Sequence, residues 1–99
     1  MARRKIDGVI EAVRYSPGGK IDLVRTFERR GAVWSDQVLL ERQELVDRLK
    51  RGKRFVTGQR EDYLGGVFQT GAAVRYVDQH IVTEGLAAGQ DHLNGVPIF

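Results

Sequence analysis

Residues 5–30 read KIDGVIEAVRYSPGGKIDLVRTFERR, and the reading of this stretch decides the fold. Ser16-Pro17-Gly18-Gly19 at its centre is a chain reversal. Proline presets φ at the first central position, and glycine accepts the positive φ that a type II turn asks for next. Before the turn, Lys5 to Tyr15 has strand character, with Ile6, Ile10 and Ala12 on one face and Asp7, Val9, Glu11 and Val13 on the other. Gly8 interrupts that pattern and is expected to mark a bulge or sharp bend. After the turn, Lys20 to Arg30 sets Ile21, Leu23 and Phe27 against Asp22, Val24, Thr26, Glu28 and Arg30. The two segments form a long β-hairpin.

Outward from the hairpin, Gly31 permits a second reversal, and Ala32 to Leu40 reads as a third strand offering Val33, Trp34, Val38 and Leu39 for burial. The period then changes. Leu45, Val46 and Leu49 recur at helical spacing, with Glu44/Arg48 and Asp47/Arg51 as i,i+4 pairs, so a helix is expected at about residues 41–51. Gly52 stands where a helix C-terminus wants positive φ. So short a helix persists only by docking on a sheet. Strand character resumes over Lys53 to Arg60. Tyr63 to Gly66 reads as a loop, Val67 to Thr70 as a short strand ended by Gly71, and Ala73 to Val77 as another. Asp78-Gln79 turns the chain into His80 to Thr83. The final stretch carries Leu93, Val96, Ile98 and Phe99, more apolar surface than a solvated tail needs, so it is expected to fold back over an open edge. The fold expected is one domain over residues 1–99, a β-rich α+β chain. Its architecture is a small bent sheet or partly open barrel of SH3-like or OB-like type, with one amphipathic helix.

Composition narrows the function classes. Twelve glycines and two prolines favour many turns over a helical bundle. Cysteine is absent, which excludes disulfides, thiolate metal sites and a cysteine nucleophile, and fits a reducing cytoplasm. No apolar run approaches the length of a membrane span, and Met1-Ala2-Arg3-Arg4-Lys5 has no apolar segment after it to make a secretory signal. His80 and His92 lack the tight paired spacing of a structural zinc site, so no metal is expected. Gly18-Gly19-Lys20 lacks the first glycine and the following Ser/Thr of a phosphate loop, and Gly65-Gly66 carries no dinucleotide fingerprint. Ser35-Asp36 has no nucleophile-elbow context. The chain is therefore read as non-enzymatic and without a cofactor.

The charge is lopsided. Residues 1–60 carry fifteen Lys and Arg against eight Asp and Glu, whereas residues 61–99 carry Arg75 alone against five acids. The bases gather as Arg3-Arg4-Lys5, Arg29-Arg30, Arg48-Lys50-Arg51, and Lys53-Arg54 with Arg60, interleaved with Tyr15, Phe27, Trp34, Phe55 and Tyr63. Clustered cations among aromatic rings suit nucleic acid: phosphates release counterions on neutralisation, and bases stack on exposed rings. The competing reading is solvation. Lys50, Arg51 and Lys53 sit where cations complement a helix dipole, and strand charges protect edges. Phe27, Phe55 and Trp34 also suit the core. The leading expectation is a nucleic-acid-binding or nucleic-acid-associated module contacting phosphates through Arg3, Arg4, Lys5, Arg29, Arg30, Lys50, Arg51, Lys53 and Arg54. The alternative is a protein-interaction or self-associating module. In it, the basic half meets an acidic protein surface, such as the acidic second half of another copy, or Val96 to Phe99 docks on a partner.

Overall fold

The computed structural model describes residues 6–31, 33–60, 68–85 and 90–99, the side chains of residues 60 and 68 excepted. Arg3, Arg4 and Lys5, and the expected loop Tyr63 to Gly66 with Val67, lie outside the described residues. The chain is a strand-rich α+β fold: the described residues form one open, mixed sheet of seven strands and a single helix. The elements are β1 (Gly8–Tyr15), β2 (Ile21–Arg30), β3 (Val33–Trp34), β4 (Val38–Glu41), α1 (Arg42–Lys50), β5 (Phe55–Arg60), β6 (Phe68–Val77) and β7 (His80–Thr83). Strand order runs β3-β2-β1-β5-β6-β7, with β4 also paired to β2.

The hairpin of β1 and β2 forms as the sequence predicts, but its turn differs in type. The Gly19 N–H closes on the Ser16 carbonyl at 2.9 Å, yet the positive φ of +88° falls on Gly19, one residue past the expected Gly18. The bulge also moves. Register slips between Ile10 and Ala12, while Gly8 pairs regularly with Glu28 and Phe55. What Gly8 supplies is room, since a Cβ there would lie 2.4 Å from the Phe55 ring. The bulge at Glu11 explains why simple alternation fails. Val9, Ile10, Ala12 and Val13 are all buried, and Ile10 and Val13 come to share one core.

The third strand breaks in two around Ser35. The Ser35 N–H still bonds the Glu28 carbonyl at 2.7 Å, but its hydroxyl accepts from the Glu28 N–H at 3.0 Å and donates to the Asp36 carbonyl at 2.8 Å, where a ladder carbonyl would otherwise stand. Leu40 is buried, whereas Val33 and Leu39, expected inside, are 65% and 54% exposed. Gly71 does not end a strand either. β6 continues through it with a register slip against Val56 to Gly58, and the missing side chain leaves space for the Thr57 hydroxyl, 2.6 Å from where a Cβ would stand. Asp78 and Gln79, both at positive φ, make the tight turn into β7.

Because β1 and β5 run parallel, their link must cross the sheet, and α1 makes that crossing. The Glu44 carboxylate accepts from the Glu41 N–H at 3.1 Å at its start, and Leu45 and Val46 are buried on the sheet. At its end the Gly52 N–H bonds the Leu49 carbonyl and the Lys53 N–H the Arg48 carbonyl, both at 3.1 Å. With Gly52 at φ +84°, this is the Schellman arrangement. The tail folds back as expected. Val13 N–H bonds Pro97 O at 2.9 Å, and Phe99 N–H bonds Val13 O at 3.0 Å, beside the part of β1 that β5 leaves unpaired. No helix among the described residues is long and apolar enough to cross a membrane.

Candidate nucleic-acid interface

The Schellman turn aims the chain. It throws Lys53 and Arg54 off the end of α1 onto the start of β5, beside the far end of β6. The carboxylate of Asp7 then fixes that corner, accepting from the Arg54 N–H at 2.8 Å while the Asp7 N–H donates to the Arg54 carbonyl at 2.8 Å. Between this corner and β6 lies an open groove of about 1000 Å³. Lys50, Lys53, Arg54 and Arg75 line it, with Glu84 as the one carboxylate among the lining residues. Its apolar surface comes from Ile6, Leu49, Val74 and Tyr76. The Lys50 ammonium sits 5.5 Å from the centre of the Tyr76 ring, and Arg75 pairs with Glu84 at 2.8 Å in an exposed position. Such an exposed pair contributes little to stability, so it opens at small cost.

The expected site residues divide into four sets. Lys50, Lys53 and Arg54 come together in the groove. Arg29 stands in an adjoining niche of about 70 Å³ that shares Lys53 with it. There the Arg29 Nε–H donates to the Ile6 carbonyl at 2.8 Å, and its guanidinium lies 4.7 Å from the centre of the Trp34 ring. Trp34 is thus half-buried under a cation and is not a core residue. Arg30 and Arg51 are exposed and line neither hollow, so the structure does not gather them with the rest. Arg3, Arg4 and Lys5 lie outside the described residues, directly before Ile6 in sequence. Arg48 also borders the niche but is engaged, its Nε 2.6 Å from Glu28 Oε1, close enough for charge pairing though not aligned as a hydrogen bond. Phe27 and Phe55 are core, as their strand positions imply.

Sequence reasoning missed Arg75 and Tyr76. Both sit in the acidic half and reach the groove only because β6 lies antiparallel to β5. Two further bases serve another purpose. Arg14 and Arg25 close on the Phe99 ring at 4.8 and 4.6 Å from its centre, fastening the tail.

Asp91 is the other concentration of charge. Its side chain is fully buried and accepts from Ile21 N–H at 2.8 Å, Ile81 N–H at 2.9 Å, Arg42 Nε at 2.8 Å and a terminal Arg42 nitrogen at 3.1 Å. Burial alone pushes its carboxyl upward, but the bonds from Arg42, Ile21 and Ile81 together outweigh burial and hold it below the usual carboxylate range. In return the Asp91 hydrogen bond raises Arg42, against the opposing effect of burial. A carboxylate accepts about four such bonds, so Asp91 is saturated and has no lone pair left for a substrate. His80 Nδ1 lies 3.7 Å from it, beyond hydrogen-bond range. The cluster is a structural clasp. Among the described residues, no group of three or more His, Asp or Glu side chains converges as metal ligands would. Comparison of the chain with protein-family models, curated proteins and solved structures finds no match.

Proposed function

We propose that this chain is a non-enzymatic module that binds nucleic acid through its phosphates, along the groove between the α1–β5 corner and β6. A cysteine-free domain of this kind suits the cytoplasm. The observation that carries the reading is the convergence of Lys50, Lys53, Arg54 and Arg75 on one concave surface whose described lining holds a single carboxylate, with Arg29 in an adjoining niche that Asp7 and Glu28 also line. Lys50, Lys53 and Arg54 are neighbours in sequence, but Arg75 and Arg29 are distant from them, and simple solvation does not require those two to join the cluster. Concave surfaces of one sign raise the local concentration of an opposite charge. Sequence-specific readout is not part of the proposal, because the one helix contributes its C-terminal end and offers no base-reading face to a groove of DNA.

Fluorescence anisotropy on labelled 20-mers at two salt concentrations tests this. The expected result is binding that weakens steeply with salt, and weakens further in the Lys50→Gln/Lys53→Gln variant. No binding at low salt sinks the proposal.

A second reading, self-association, has its own support in Val33 and Leu39, exposed along the sheet edge formed by β3 and β4. Against it, Asp91 is buried, Glu84 is paired with Arg75, and the tail backbone at Pro97 and Phe99 bonds Val13 of its own β1, while Asp78 and Ile98 stay exposed. A mass that rises with concentration, measured by sedimentation, marks this alternative.

A further inference from the structure

Resting on the nucleic-acid reading, we infer that the groove takes a single strand in preference to a duplex, with Tyr76 as the ring on which a base stacks. Two observations carry it, because a single strand exposes the base faces that a duplex hides from this groove. The groove's basic side chains stand around an apolar floor of Leu49, Val74 and the half-buried Tyr76, and an unstacked nucleotide offers both chemistries at once. The Tyr76 ring is also already covered by a cation, Lys50, at 5.5 Å. An ammonium over a half-buried ring that still meets solvent is held weakly, and a stacked base is held more strongly. Lys50 would therefore leave the ring for a phosphate as a base takes its place, so both groups gain a better partner in the complex than they have without it. Arg75 is placed to do the same by exchanging Glu84 for a phosphate.

The test compares four labelled probes of equal length at one salt concentration: a thymidine 20-mer, a uridine 20-mer, a 20-mer of abasic deoxyribose phosphates, and a 20-bp duplex. Proteins are the unaltered chain, Tyr76→Phe and Tyr76→Leu, each checked for folding by circular dichroism. The expected result is about tenfold tighter binding of the two base-bearing strands than of the abasic strand or the duplex. Tyr76→Phe should keep that margin and Tyr76→Leu should lose it. If all four probes bind equally to the unaltered chain, the stacking inference is overturned while the phosphate reading stands. The same holds if Tyr76→Leu folds and keeps the margin. Binding of none of them at low salt removes both. Should Tyr76→Leu fail to fold, the abasic comparison on the unaltered chain still decides.

Discussion

The carboxylate of Asp91 and the guanidinium of Arg42 meet at 2.8 Å across 49 residues of sequence, the one fully buried and the other about one-fifth exposed. Two backbone N–H groups, on Ile21 and Ile81, complete the acceptor's shell. Removing the charge should therefore hurt more than an ordinary surface pair would. Asp91→Asn is expected to cost about 3 kcal/mol, read from urea unfolding, because it strips a buried pair of one partner. A loss below about 1 kcal/mol would mean that the clasp is ornamental.

The same group sets an acid limit. Its folded pKa is depressed, so the stability it adds is fully present above the ordinary carboxylate value of about 4 and is lost as pH falls through the lower folded value. Thermal midpoints measured from pH 6 down to pH 2 should fall steeply below about pH 4 in the unaltered chain and less steeply in Asp91→Asn. Parallel curves would assign the acid limit to other carboxylates.

Gly52 holds φ +84° with open space around the position of a Cβ, so replacing it tests backbone strain alone. Gly52→Ala should cost about 1 kcal/mol. Because Lys53 and Arg54 follow directly, nucleic-acid affinity should fall as well, seen by anisotropy at a temperature where the variant is folded. Unchanged affinity would separate the turn from the groove.

Gly8→Ala is a different kind of change. It pushes a methyl group into the Phe55 ring, and Phe55 is 1% exposed, so the ring has nowhere to go. A loss of about 2 kcal/mol is expected from calorimetry, with the groove corner at Arg54 disturbed through Phe55.

Groove and net charge can be told apart by salt dependence. Lys50→Gln/Lys53→Gln should lower the slope of log K against log salt by about 1.5, whereas Arg30→Gln/Arg51→Gln, the same change in total charge outside the groove, should leave it nearly unchanged. Equal effects from both pairs would show that charge alone governs binding.

Local signals in the sequence are the ones the structure follows. Ser16 to Gly19 turns the chain, Leu45 and Val46 dock the helix, and Gly52 ends it, because each depends on neighbours within a few residues. The misreadings share a physical cause. A one-residue bulge at Glu11 reverses which face each later side chain takes, and it leaves no mark in residue type. Gly8 and Gly71 look like breaks, yet both serve packing against partners more than ten residues away, Phe55 and Thr57. The groove was half legible. Lys50, Lys53 and Arg54 stand out as a cluster, but Arg75 and Tyr76 join them only through the register of β6 on β5. Asp91 was invisible as a clasp because all its partners lie ten or more residues away.

That clasp also dictates an order of events. A chain emerging from synthesis can close the first hairpin and wind α1 early, since both are local. The N–H groups of Ile21 and Ile81 and the guanidinium of Arg42 then wait for an acceptor that arrives 70, 10 and 49 residues later respectively. Until residue 91 reaches them, the N–H groups of Ile21 and Ile81 lack the acceptor they have in the native fold, although Arg42 can already donate to Gln79 O. The clasp therefore closes only once the tail is in place, and it ties the first hairpin, α1 and β7 together in one contact.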